Sequence, residues 1–179
     1  MKISKRKLLD MSEISLILDG YDDIFSDFDP RDYSVRALSV DFLHEAERAS
    51  REKVDHPHLS LLTPAKIRSK PKEEIIRKRL KHHFKKHFQR VKHQYRKTIF
   101  HGLCFTFAGV VCMLLAVYVV HSLNSENIFN AFLRVLLEPS GWFLFWEGLV
   151  LIVFESQKIK PELHFYSKMS TSQIRFLGY

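Results

Sequence analysis

Residues 76–120 read IRKRLKHHFKKHFQRVKHQYRKTIFHGLCFTFAGVVCMLLAVYVV, and no proline separates the basic first half from the apolar second. Ile76, Leu80, Phe84, Phe88, Val91, Tyr95 and Ile99 recur at intervals of three or four, the spacing that lines up one face of an α-helix. One continuous helix is therefore expected, beginning near Pro71, with a single apolar seam running through its basic part into the apolar run. Residues 99–120, broken only by His101, would extend roughly 33 Å as a helix, against a hydrocarbon core of about 30 Å. A stretch apolar on every face for that length reads as a transmembrane span, because a core helix of a soluble protein keeps a polar side.

Working outward, residues 128–154 form a second apolar stretch, interrupted by Arg134 and by Glu138-Pro139-Ser140-Gly141. Proline suits the first turn of a helix, so the second span is expected to start near Pro139 and to end near Glu155. The preceding segment, with Phe129, Phe132, Leu133, Leu136 and Leu137 against Asn130 and Arg134, has the pattern of a short interfacial helix. Ten Lys and Arg with no acid occupy residues 77–97, Lys158 and Lys160 follow the second span, and the connection between the spans has no basic residue before Arg134. Lys and Arg near a span stay on the cytoplasmic side, so both termini are expected there in an inner-membrane, multi-pass protein. No signal peptide is read at the N-terminus, where Asp10 cuts short any apolar core. Cys104 and Cys112 both fall in the first span, so neither a disulfide framework nor a CxxC metal site is expected.

The fold class expected is an α+β membrane protein: a small cytoplasmic sheet with helices, and a long basic helix continuing into the first of two transmembrane helices. Ile14, Leu16 and Leu18 alternate with Ser15 and Asp19 as in a strand, HLSLLTPAKI at 58–67 supplies a second, and ELHFYSKM at 162–169 a third. Val35, Leu38, Phe42, Ala46 and Ala49 fall at helical spacing, with Ser39 placed to cap. The organisation expected is an α+β portion at 1–70, a basic juxtamembrane helix at 71–98, spans at 99–121 and 139–156, the external segment at 122–138, and a C-terminal strand region at 157–179.

Residues 22–33, DDIFSDFDPRDY, raise the possibility of metal or phosphoryl chemistry, since Asp22, Asp23, Asp27 and Asp29 lie so close together. A phosphatase using these residues would need a nucleophilic aspartate and a second two residues on, at the end of a buried strand and followed by Thr or Val, and here Pro30 follows Asp27-Phe28-Asp29. A calcium loop starting at Asp27 would put Arg31 at a ligand position and Leu38 in place of the bidentate glutamate. Turn building explains more of these residues: aspartates accept bonds from backbone amides just ahead, Asp29-Pro30 suits a helix start, and Ile24, Phe25 and Phe28 would anchor the segment in the core. A membrane-bound divalent-metal hydrolase using the aspartates is kept as the alternative function.

His83 and His87 share one helix face and are metal candidates alongside Asp27 and Asp29, but no Cys or carboxylate lies near to complete a shell. In a run of cations beside a span, solvated histidines are the plainer reading. Arg77, Arg79, Lys81, Lys85, Lys86 and Arg90 suit anionic lipid head groups, each such charge contributing about 1 kcal/mol near the surface, and nucleic acid is not expected. Leu80, Phe84, Phe88 and Val91 form the seam, expected to pack against the sheet or against a second copy in a homo-oligomer. Glu147 is an ionisable group in a span and would support a channel or transporter accessory role. Trp142 and Trp146 beside it equally suit an interfacial aromatic belt. Gly102, Gly109 and Ala116 recur every seven residues, a small-residue face for close helix packing within the hairpin or between subunits.

DIFSDFDPR, the Arg36-Ala-Leu-Ser-Val-Asp-Phe-Leu43 segment, RLKHHF, Gly141-Trp142 and Trp146-Glu147 together resemble a group of uncharacterised prokaryotic two-span membrane proteins. The resemblance implies this architecture and no activity. No catalytic residue and no cofactor emerge, and the eleven acidic side chains of residues 10–47, against only Arg31 and Arg36, complement the basic helix. The function expected is a membrane-associated scaffold or regulatory interaction module, with a possible protein partner in the cytoplasm.

Overall fold

The computed structural model describes residues 14–52, 58–122 and 128–179. It is an α+β structure with a three-stranded, all-parallel sheet in the order β1-β2-β3. β1 (Ile14–Ile17) pairs with β2 (His58–Thr63), setting Ile14 opposite Leu59 and Ile17 opposite Leu62. β3 (Gln173–Gly178) lies on the other side of β2, from His58 opposite Gln173 to Thr63 opposite Gly178. A central strand covered on both faces should be apolar nearly throughout, and Leu59, Leu61 and Leu62 are fully buried. β3, at the edge, instead alternates, with Ile174 and Phe176 buried and Gln173 and Arg175 exposed.

α1 (Val40–Glu52) carries the chain from β1 to β2 and packs beside β1, burying Phe42 and Ala46 one turn apart. Ser39 starts it: its hydroxyl accepts from the Phe42 amide (3.5 Å) and its carbonyl from the Leu43 amide. Val35 and Leu38 lie before the helix. Leu38 instead forms an isolated antiparallel bridge with Phe25.

α2 (Lys70–Ser122) runs 53 residues as one helix, from the sheet-bearing part of the chain through the apolar run. Its first turns fill the core with Ile76, Leu80 and Phe84, each fully buried. The next helical stretch is also longer than the sequence suggests. α3 (Ile128–Val150), a π-helical turn (Leu151–Glu155) and α4 (Ser156–Thr171) follow one another without a break. Pro139 sits inside α3, so no helix begins there as the sequence suggests. Residues 162–169 are helical, not the expected strand: Phe165, Tyr166 and Met169 face inward at helical spacing, and the third strand begins at Gln173. Lys70–His121 and Ile128–Thr171 are each long and apolar enough to cross a membrane.

The described chain divides into two compact units, one of residues up to Gln89 with His164–Tyr179, the other Arg90–Leu163. The second is a helical hairpin. A Cβ on Gly109 would lie 2.7 Å from the Gly141 carbonyl, and one on Gly102 would lie 2.9 Å from that of Gly148. Gly102 thus faces Gly148 and Gly109 faces Gly141, an antiparallel register with glycines seven residues apart on both helices. The small-residue face is used inside the hairpin.

Candidate functional site

The candidate site is the first half of α2, where the residues that build the core alternate with those that carry charge. Ile76, Leu80 and Phe84 point inward, and Phe84 meets Phe165 of α4 edge to face at 6.2 Å between ring centres. Arg77, Lys78, Lys81, Lys85, Lys86 and Arg90 are exposed. Of the two partners expected for the seam, the sheet or a second copy, the chain's own core takes the place at Leu80 and Phe84, and Val91 is buried as well; Phe88 alone of the four is half-buried.

Not every basic residue of the helix is free to meet a lipid. Arg79 is half-buried, and its Nε donates to the Arg36 carbonyl (3.0 Å) while Nη2 donates to that of Val35 (3.5 Å). It fastens the acidic segment to α2 through backbone carbonyls. Carboxylates of that segment bond within it although exposed: Asp22 accepts from Arg36 Nη1 (2.5 Å) and Tyr33 Oη (3.2 Å), and Asp23 from the amides of Asp19 (2.7 Å) and Gly20 (3.0 Å). Asp29 accepts from the Ala37 amide (2.7 Å), the Arg31 amide (3.2 Å) and the Arg31 guanidinium (2.7 and 2.8 Å). The Arg31 bonds hold its carboxyl well below the usual carboxylate range.

The aspartates are thus turn builders, though not in the way the sequence implies. Asp29 closes a loop instead of starting a helix, and Phe28 is 99% exposed where it was expected to anchor the segment beside buried Ile24 and Phe25. Among the described residues no three His, Cys, Asp or Glu side chains gather into a group able to hold a metal ion. Asp27 is exposed at the tip beside Phe28.

His83 and His87 do come together, ring over ring at 4.1 Å, and His87 stacks in turn on Tyr166 at 5.2 Å. Burial first, and then the neighbouring His87 and Arg79, push the His83 imidazole down to about pKa 4. His83 is a neutral ring packed in the domain at physiological pH, and its Nε2 is buried without a partner.

A polar cluster that sequence reasoning missed anchors the start of α2. Glu73 is 4% exposed, and its carboxylate accepts from Arg68 Nε (2.8 Å) and Nη2 (3.0 Å) and from the Tyr21 hydroxyl (3.2 Å). Tyr21 Oη also accepts from the Ser69 amide (2.8 Å). The Arg68 bonds hold Glu73 below its ordinary pKa, while burial pushes Tyr21 up. Gly178 leaves room for the arginine, because a Cβ there would come within 3.2 Å of Arg68 Cδ. The only signal in the sequence is that Glu73 and Glu74 are the two acids of an otherwise basic helix start.

In the hairpin, Glu147 is half-buried immediately before Gly148, and the Trp142 and Trp146 rings stack in parallel at 5.9 Å. The π-turn places Ser156 so that its hydroxyl donates to the Ile152 carbonyl at 2.5 Å. No protein-family model, curated protein or solved structure matches the chain.

Proposed function

We propose that the chain is a two-span inner-membrane protein whose α+β domain, with both termini, faces the cytoplasm and works there as a regulatory or scaffolding interaction module. The observation that carries this reading is α2, since one unbroken helix contributes the domain's buried seam, an exposed row of cations and an apolar span-length segment. The row of cations at Lys81, Lys85, Lys86 and Arg90 would lie beside the head groups, where anionic lipid attracts it. The resemblance to two-span prokaryotic membrane proteins fits the same placement. Glu147 is assigned to the interfacial aromatic belt, because Trp146, stacked on Trp142, directly precedes it.

Full-length protein extracted from membranes and weighed with its retained lipids tests the reading. It should keep phosphatidylglycerol in preference to phosphatidylcholine, and the double change Lys85→Gln, Lys86→Gln should lower that preference several-fold. Equal retention of the neutral lipid by the unmodified protein would overturn the assignment of this helix to the head-group region.

A further inference from the structure

Three cationic side chains converge on a cleft of about 550 Å³ on the sheet-bearing unit: Arg77 and Lys81, one turn apart on α2, and Arg175 on the edge strand β3. Thr171, Ser172, Gln173 and Ile174 complete its walls, and among the described residues no carboxylate lines it. Two of the cations are held in place. Arg77 Nε donates to the Ile174 carbonyl (3.1 Å), covering part of the edge strand's backbone and leaving both Nη groups of Arg77 for another acceptor. Arg175 Nη2 donates to Gln173 Oε1 (2.9 Å).

The end of α4, whose carbonyls would repel an anion, is already satisfied locally. Thr171 Oγ1 donates toward the Ser167 and Lys168 carbonyls, Ser172 Oγ to that of Lys168, and the Ser172 amide to that of Met169. What remains is a concentration of like charge whose nearest carboxylate, Glu73 beside Arg77, is already engaged by Arg68 and Tyr21, a repulsive arrangement that a bound anion relieves. Two guanidinium groups and an ammonium suit an acceptor with several oxygens and a double charge, because each arginine fork can engage a pair of them.

We propose that this cleft binds a phosphate monoester, carried either by a soluble metabolite or by a lipid head group. The inference goes beyond the attraction of the outer α2 surface to anionic lipid, since Lys85 and Lys86, which test that attraction, do not line the cleft.

The test uses full-length protein in nanodiscs of neutral phosphatidylcholine. In one arm glycerol 3-phosphate is titrated by calorimetry; in the other the discs carry phosphatidic acid, a monoester lipid, and the copies retained by the protein are counted by native mass spectrometry. Saturable binding of one equivalent is expected in at least one arm, the first identifying a soluble ligand and the second alone a lipid. Arg175→Gln, at an exposed strand position, should weaken it about tenfold, and Lys81→Gln should act in the same direction. The Lys85→Gln, Lys86→Gln double variant should bind as the unmodified protein does. Three results would each overturn the proposal: saturation in neither arm, an unaffected Arg175→Gln variant, or an equal loss in the Lys85, Lys86 variant, which would mean diffuse attraction. Loss in Arg175→Gln alongside unchanged phosphatidylglycerol preference in the Lys85, Lys86 variant would keep the cleft and remove the outer-surface reading.

Discussion

Glu73 shows how one side chain ties the sheet to the long helix. It accepts from Arg68 just ahead of α2 and from Tyr21 just after β1, so the first turn of the helix is pinned to the carboxyl end of the sheet. Its pKa is depressed in the fold, so the ionised form is the stabilising one. That contribution is complete above the unfolded value near 4.5 and is lost as pH falls through the lower folded value. Glu73→Gln should cost roughly 1–3 kcal/mol at neutral pH, since it removes charge-assisted bonds from a buried group. It should also flatten the acid limb of stability against pH. Thermal unfolding of the two proteins between pH 3 and 7 checks this, and identical acid limbs would exclude a stabilising role for the carboxylate. Little of this could be read in advance, because the three partners are up to 52 positions apart and none belongs to a local motif. The aspartates of residues 22–29 were more legible, as Asp23 and Asp29 accept from amides of their own loop, yet Phe28 shows that an aromatic residue in a turn need not face the core.

Among the elements, periodicity was most informative where it was longest. The seam from Ile76 through Phe84 falls where its spacing puts it, and the strand at 58–63 follows its apolar run. Boundaries fared worse where proline was taken as a break: α3 passes through Pro139. In α3 the Ser140 hydroxyl donates to the Leu136 carbonyl (2.7 Å), adding a bond beside the site where proline removes a donor. The strand expected at 162–169 failed because Phe165, Tyr166 and Met169 satisfy a helical period, whereas the true edge strand alternates only from Gln173 onward. The glycine register of the hairpin gives a sharp expectation. Gly109→Ala would bring its Cβ to 2.5 Å from the Phe145 nitrogen, so backbone must move, at a cost of about 1–3 kcal/mol. Gly20→Ala, with its nearest neighbour 3.9 Å away, should be close to neutral. Melting temperatures in detergent measure both, and a harmless Gly109→Ala would mean the two helices do not pack in this register.

For the molecule as a whole, the parallel sheet takes its first two strands from before the hairpin and its third from after it, with β2 between them. A sheet assembled in this way needs both ends of the chain on one side of whatever the hairpin crosses. Both termini on the cytoplasmic side, as proposed, would meet that requirement. The cleft was the least legible, because its cations come from positions nearly a hundred residues apart and nothing in their local sequence marks them as neighbours. Mapping the sidedness with reporters attached at Met1, at Asn124 and at Tyr179 in intact cells tests the two-span arrangement most directly. Both terminal reporters should respond as cytoplasmic and the Asn124 reporter as external. Termini on opposite sides, or a cytoplasmic Asn124, would contradict it.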